Sequence, residues 1–445
     1  MQLSESGRVV TAVATSQGVV KFQDAGDKVW TTATNNSSTT PPLDVDNLNF
    51  GAASNGKVWF VDGLNYRYFD PTDGSINDWV ASAGDLPIDS DSRGARGIEA
   101  WRGRIVVFGV LGLPYDWFMA EIGDPTNFDY SPDDPPGPAP TDAVSSQTGP
   151  QGQVGDVMTA FVPFDDDTAF MGCSHTLYLL KGDPQDNGQI TLITDTIGMA
   201  FGRAWCKSPD GTVYFFSNRC GLYSLVPGSQ PQRISQSIEQ LVQDVNTGLN
   251  RVTMMWDDRF QGVNVWITPI QGAAPTTHLF FEQRTGAWWQ EEYDNDLHNP
   301  LCACQFDGNN PEDRVVLIGS FDGVVRYLDP NAATDDGRTI FSTVAFAPIL
   351  SPGLDDMILD EWQAVLGEDS GDVTWNILLG TTAEQALNSS VEETGIWTAG
   401  RNATAPVGRR SHAIIPQFKA EGQWRMEECR AVVRTGGLKA ARAKE

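Results

Sequence analysis

Thr212-Val213-Tyr214-Phe215-Phe216, Ser217-Asn218-Arg219-Cys220-Gly221 and Leu222-Tyr223-Ser224-Leu225 are the consecutive residues on which the fold turns. Asp210-Gly211 closes a turn ahead of them. The two outer runs are β-branched and aromatic, and Asn and Gly fill the break between them. That is the chemistry of a β-hairpin. The pattern recurs at six other places. Arg8-Val9-Val10 leads through Gly18 to Val19-Val20-Lys21-Phe22, and Val58-Trp59-Phe60-Val61 returns through Tyr66-Arg67-Tyr68-Phe69. Trp101-Arg102-Gly103 opens Arg104-Ile105-Val106-Val107-Phe108, and Thr168-Ala169-Phe170-Met171 returns through Leu177-Tyr178-Leu179-Leu180. Val263-Asn264-Val265-Trp266-Ile267 is answered by His278-Leu279-Phe280-Phe281, and Arg314-Val315-Val316-Leu317-Ile318 by Val324-Val325-Arg326-Tyr327.

One start per copy gives Val9, Val58, Ile105, Thr168, Thr212, Val263 and Val315, at spacings of 49, 47, 63, 44, 51 and 52 residues. The longest spacing spans a run rich in Pro, Gly and Asp at 131–152, which reads as an exposed inserted loop. Four-stranded sheets repeating at roughly 40–50 residues are the signature of a β-propeller. The expectation is an all-β chain: a propeller of seven blades over 1–338, a small β-sandwich-like domain over 339–434 and a basic tail over 435–445. A set of unrelated hairpins in sandwiches is the competing architecture. The C-terminal strands also allow a further blade completed by the N-terminal strand. Between the fifth and sixth copies, Ile238, Leu241, Val242 and Val245 fall at helical spacing. Ser237 with Gln240 fits a capping box, so a short amphipathic helix is expected there.

The formal net charge is −28 over 445 residues, and it is unevenly spread. From Arg401 onward there are ten Lys/Arg and four Glu, so the first 400 residues carry −34. A body this acidic repels polyphosphate and is no conventional nucleic-acid binder. The basic residues Arg409, Arg410, Arg430, Arg434, Lys439, Arg442 and Lys444 are candidates for a subunit interface, docking on the acidic body of a neighbouring copy. A solvated tail is the plainer alternative.

No catalytic constellation stands out. There is no phosphate-binding Gly-rich loop ending in Lys-Ser/Thr, no dinucleotide fingerprint, no nucleophile elbow and no His-Glu-x-x-His. His175, His278, His298 and His412 fall in separate parts of the chain without paired spacing. The six cysteines make no disulfide framework, and Cys302 and Cys304 are expected as buried small residues. Asp165-Asp166-Asp167 and the Asp70–Gly74 turn offer oxygen ligands but lack a calcium-loop pattern, and turn chemistry accounts for them. No cofactor or metal is expected. No N-terminal apolar run resembles a signal peptide, and no apolar run is long enough to span a bilayer as a helix.

The run Trp101-Arg102-Gly103-Arg104 through Phe108-Gly109, followed by Glu121-Ile122-Gly123-Asp124-Pro125-Thr126-Asn127-Phe128, resembles short-tailed phage tail proteins of the hub or nozzle class. These include the packaged-DNA stabilisation and tail tubular protein B families. Gly211 to Ser224, Arg233-Ile234-Ser235 and Trp288-Trp289 are similar to the same group, so the resemblance covers about residues 95–330. It implies a non-enzymatic virion subunit, made in the host cytoplasm. Such a subunit usually stands as six copies in a ring that continues the DNA-exit channel and helps retain the packaged genome. Its implied partners are further copies of itself, portal-adaptor proteins above, and needle, fibre or tailspike proteins below. Double-stranded DNA would pass without specific binding. The chain is shorter than many nozzles, which puts extra nozzle domains in doubt. The alternative function is a free-standing propeller that binds or hydrolyses a glycan, with a polar cluster at one channel mouth.

Overall fold

The computed structural model describes residues 2–3, 11–24, 29–131, 139–219, 221–270, 276–293, 295–308, 314–329, 331–351, 355–403 and 405–435. The chain divides into two compact units, Met1–Leu328 and Asp329–Glu445. The division falls at 328, where the sequence suggested 338.

Among the described residues the first unit places seven larger sheets in chain order, with a two-stranded parallel pair, Ala83–Gly84 with Asn127–Phe128, between the second and third. The second strands of the seven sheets are Thr11–Ser16, Lys57–Val61, Arg104–Val110, Thr168–Cys173, Val213–Ser217, Gly262–Pro269 and Arg314–Ser320, and from the second sheet onward they are the strands marked in the sequence repeats. Five sheets have four strands, the second gains a parallel strand at Thr34–Asn35, and the seventh has three. Val9, the first repeat mark, lies outside the described residues.

Each of these strands is apolar on both faces, and successive side chains of a strand point to opposite sides. In Lys57–Val61, Val58 and Phe60 pack with Val13 and Val20 of the first sheet. Trp59 and Val61 pack with Ile98, Ile105 and Val107 of the third. In Val213–Ser217, Val213 and Phe215 join Val162 and Phe170 of the fourth sheet, while Tyr214 and Phe216 join Met254 and Val265 of the sixth. Val106 and Trp117 pack with Phe161 and Met171. Trp266 packs with Val316 and Ile318, and Phe306 packs with Ala12. The seventh sheet therefore meets the first, and the ring is closed: this unit is a β-propeller. The first strands of neighbouring sheets, such as Phe50–Ser54 with Gly97–Trp101 and Asn250–Asp257 with Pro300–Asp307, run side by side around the centre.

The 131–152 segment is not simply an exposed excursion. Residues 132–138 lie outside the described residues, but Val144–Ser145 forms the fourth strand of the third sheet, and both residues are buried. Its approach is pinned by Arg104, a fully buried guanidinium. Arg104 donates to the carbonyls of Pro140, Asp142 and Ala120 at 2.9, 2.7 and 2.8 Å, and to both oxygens of Asp183 at 3.0 and 3.2 Å. Asp183 belongs to the loop after the third strand of the fourth sheet, so one ion pair ties two sheets and the insertion together. Short strands of two residues carry no readable periodicity, which is why the sequence hid this one.

The expected helix is a 3-10 turn, Gln236–Ile238, running into a single α turn, Glu239–Val242. Val242 is buried and Ile238 and Val245 pack beside it, but Leu241 is exposed. The expected capping box is absent, since neither turn has a side-chain cap. Ser235 instead accepts a hydrogen bond from Leu222 N at 3.1 Å, binding the segment to its own sheet.

The second unit is a β-sandwich. One sheet places Ala413–Glu421 between Phe341–Ala345 and Val373–Gly380, with Val391–Trp397 at the edge. The other centres on Met357–Leu366, flanked by Ala405–Ser411 and Met426–Thr435. Leu359, Trp362 and Ala364 of one sheet meet Val373, Ile377 and Phe418 of the other in one core. Trp362 stacks on Phe418 at 5.7 Å between ring centres. The further-blade alternative fails here, because the N-terminal Gln2–Leu3 strand pairs with Thr11–Ala12 of its own first sheet.

Two outcomes are expected. Removing one partner of a buried ion pair strands the other, so Asp183→Ala should lose about 3–5 kcal/mol in chemical denaturation and expose 139–146 to protease. The strand Thr168–Cys173 is buried throughout, whereas Pro300–Asp307 and Arg314–Ser320 alternate with partly exposed residues. Amides of the seventh sheet should therefore exchange with deuterium earlier than those of the fourth. Equal protection of the two sheets would contradict a ring that is loosest at its closing joint.

Candidate functional site

The first strands start at one end of the propeller channel, and charged and aromatic side chains from different sheets converge there. The segment 199–203 builds the floor. Thr159 of the fourth sheet donates its hydroxyl to Met199 O at 2.8 Å, and Gly202 N reaches Thr159 O at 3.3 Å. Met254 N of the sixth sheet donates to Arg203 O at 2.9 Å. Gly202 has φ +88°, and a Cβ there would lie 2.8 Å from the Phe50 ring, so only glycine lets the segment pass.

On this floor Arg203 forms a two-point pair with Glu99 of the third sheet, at 2.9 and 3.2 Å, and its guanidinium also lies over Trp205 at 5.2 Å. Glu99 is buried. Desolvation raises its pKa to about 7, and the Arg203 charge and hydrogen bond only partly oppose this. Phe50 of the second sheet meets Phe201 edge to face at 5.6 Å. Arg96 lies over Phe201 at 4.7 Å and Arg251 of the sixth sheet lies over Phe50 at 5.6 Å. Arg251 keeps partial access to solvent but is enclosed by protein on nearly all sides, and burial pulls its pKa down. Cys302 of the seventh sheet stands beside it and is exposed, not buried as its sequence pattern suggested.

Three guanidinium groups and one carboxylate thus face the channel mouth of an otherwise acidic protein. The arrangement offers a charged fork and apolar ring faces to a small ligand. With Arg251 of the sixth sheet resting on Phe50 of the second, the bore is closed to a nucleic-acid duplex. None of these residues was singled out from the sequence as a site, because they come from five separate repeats. A signal was present. Arg96 and Arg203 each stand nine residues ahead of their repeat starts, Ile105 and Thr212.

The interface candidates sit elsewhere, in the second unit. Arg409 pairs with Glu393 at 2.5 Å, Arg410 with Asp356 at 3.0 Å, and Arg434 with Asp360. Arg430 lies on Met426–Thr435, in register with Gln363. Arg410 and Arg434 flank Ile358 on either side of the same strand. Lys439, Arg442 and Lys444 lie outside the described residues. The acidic turns are occupied locally: Asp70 accepts from Thr72 N and pairs with Lys57, and Asp165 accepts from Asp167 N. His278 is buried against Asn299 at 2.9 Å, and desolvation lowers its pKa. Among the described residues no helix is long and apolar enough to cross a membrane.

Neither a protein-family profile nor any curated protein matches this sequence. Several solved structures are similar in outline. The extracellular domain of a hybrid two component system from B. thetaiotaomicron aligns with 94% of this chain and 55% of its own, at 10% identity and TM-score 0.43. This chain therefore spans little more than half of that domain. A 6-phosphogluconolactonase from Bacteroides fragilis aligns over 73% of this chain and 95% of its own, at 10% identity and TM-score 0.43. A puromycin-hydrolyzing peptidase of mycobacterium tuberculosis aligns over 72% and 50%, at 12% identity and TM-score 0.36. The propeller is defined by its own sheets, and none of those activities is carried over.

A carboxyl whose pKa is higher in the folded chain than in the unfolded one binds its proton more tightly when folded. Stability from Glu99 is therefore greatest in acid and declines as pH climbs from 4.5 toward about 7. Glu99→Gln keeps an acceptor for Arg203 and removes that decline. Between pH 4.5 and 7.5 the stability of the wild type relative to Glu99→Gln should fall by about 3 kcal/mol, measured by urea unfolding at both pH values. A difference that does not change with pH would place Glu99 in contact with bulk water.

Proposed function

We propose that this protein is a structural subunit of a short-tailed phage tail. Copies assemble head to tail into a ring, a hub or nozzle, that continues the DNA-exit channel, helps retain the genome and attaches distal tail parts. The observation that carries this reading is the run from Trp101 to Phe128, which resembles that class, on a chain of net charge −28. In the fold this run has a structural use. Trp79 donates to Pro125 O at 3.1 Å, Phe128 is fully buried, and Asn127–Phe128 pairs in parallel with Ala83–Gly84. The run therefore bridges the second and third sheets.

The closed bore refines the proposal. DNA does not thread an individual propeller; on this reading it passes between copies that surround it. An acidic wall suits such a conduit, since each phosphate neutralised by Lys or Arg adds binding and friction. A head-to-tail contact that completes a rotation gives a closed ring from one gene. A second reading, a free-standing propeller that binds or hydrolyses a glycan, is favoured by the polar cluster at the channel mouth.

Mass photometry and negative-stain electron microscopy of the purified chain, alone and with portal-adaptor protein, separate the two. The first reading expects closed rings of a fixed copy number. A chain that stays monomeric at high concentration with adaptor present, and cleaves or captures glycans, would overturn it. Charge reversal at Arg410 and Arg434 should lower ring yield several-fold if those residues dock on a neighbouring copy.

A further inference from the structure

We propose that Arg96 and Arg251, held over Phe201 and Phe50 beside the Arg203–Glu99 pair, form a binding site for a small oxyanion, a carboxylate or a phosphate. The inference holds whether or not the chain forms rings.

This chain supplies its own control. Where it buries a guanidinium for structure, it saturates it. Arg104 has carbonyl acceptors on one side and Asp183 on the other. Arg67 donates to Pro42 O, Tyr66 O, Thr39 and Asn65, and pairs with Asp78 at 2.9 Å. Arg251 is treated differently. Among the described residues no carboxylate comes within 4.0 Å of it and no hydrogen-bond acceptor is provided for its side chain. Arg96, an exposed residue, rests its guanidinium on the Phe201 ring. A guanidinium stays charged in proteins, and enclosing one without a partner is costly. The natural partner is an anion from solution.

The geometry selects its type. Guanidinium forks match the paired oxygens of carboxylate and phosphate. The stacked rings hold the two forks by their faces and leave their N–H edges free to donate. Arg203 is already occupied at two points by Glu99, so the ligand meets Arg96 and Arg251. The closed bore excludes a duplex and admits a small ion.

Isothermal titration of the full chain with inorganic phosphate and, separately, citrate, against sodium chloride at matched ionic strength, tests the site. Saturable heat with phosphate, citrate or both supports it, and the two arms tell which chemistry is preferred. Arg251→Met should fold, retain its circular dichroism spectrum and bind about tenfold more weakly or worse. Arg96→Met, at a more exposed position, should do the same and guards against misfolding of the first variant. No saturable heat, or heat retained in both variants, overturns the proposal and leaves general ion exclusion as the only effect of these salts.

Discussion

Every sheet of the first unit has two apolar faces, and a single sheet cannot hide both. This constraint sets the architecture. Val58 and Phe60 point one way and Trp59 and Val61 the other, so the second sheet needs a neighbour on each side. The same holds for Val213, Tyr214, Phe215 and Phe216 in the fifth. A row of such sheets always ends in two uncovered faces unless it closes. Closure is achieved through the least apolar joint, where Phe306 and Ala12 are the fully covered pair and Val315 and Leu317 are only partly buried. The strong joints fix the curvature, and the weak joint accepts it. The sandwich unit solves the same problem differently: its two sheets cover each other, and Leu378, Ala413 and Ile415 on one outer face pack with Ala386 of the short helix Ala383–Leu387.

Polar groups inside this frame fall into two kinds. The Arg104–Asp183 pair and the Arg67–Asp78 pair are complete, with acceptors provided for the guanidinium groups, and they locate loops that lack a core of their own. The channel-mouth groups are incomplete. Desolvation raises the Glu99 pKa in spite of Arg203, Arg251 lacks a countercharge among the described residues, and Arg96 rests on a ring. Both kinds occur in the same third sheet, so crowding alone does not explain the difference. Completed networks cost little once formed, whereas incomplete ones persist only where something other than stability retains them.

How much of this was legible in the sequence follows from what carries periodic signal. Second strands such as Gly262–Pro269 and Arg314–Ser320 are long and β-branched, and they mark the second to seventh sheets. Some first strands carry a weaker signal, as in Phe50–Ser54 with its Gly51 and Ala52, or the three residues of Trp205–Lys207. Outer strands of two residues, Val144–Ser145 among them, fall below any pattern. The helix was over-read because Ile238, Leu241, Val242 and Val245 fit a template that the chain follows for barely more than one turn. The site was hidden for a different reason. Its charged members run from Arg96 through Glu99 and Arg203 to Arg251, a span of 155 positions, and only ring closure brings them together.

Charge ties the architecture to the proposed role. The first 400 residues carry an excess of 34 negative charges, yet three arginines are drawn to the mouth of the bore. If acidity served solubility alone, enclosing Arg251 without a countercharge among the described residues would have an energetic cost and no purpose. Separating the two signs gives each surface its own discrimination. An acidic exterior turns away a polyanion as large as DNA, because the repulsion sums over many phosphates. A small oxyanion carries one or two charges and pays little of that repulsion on its way to the proposed site. On the two proposals taken together, the chain leaves a passing genome unbound at its outer wall and holds a small anion at its centre.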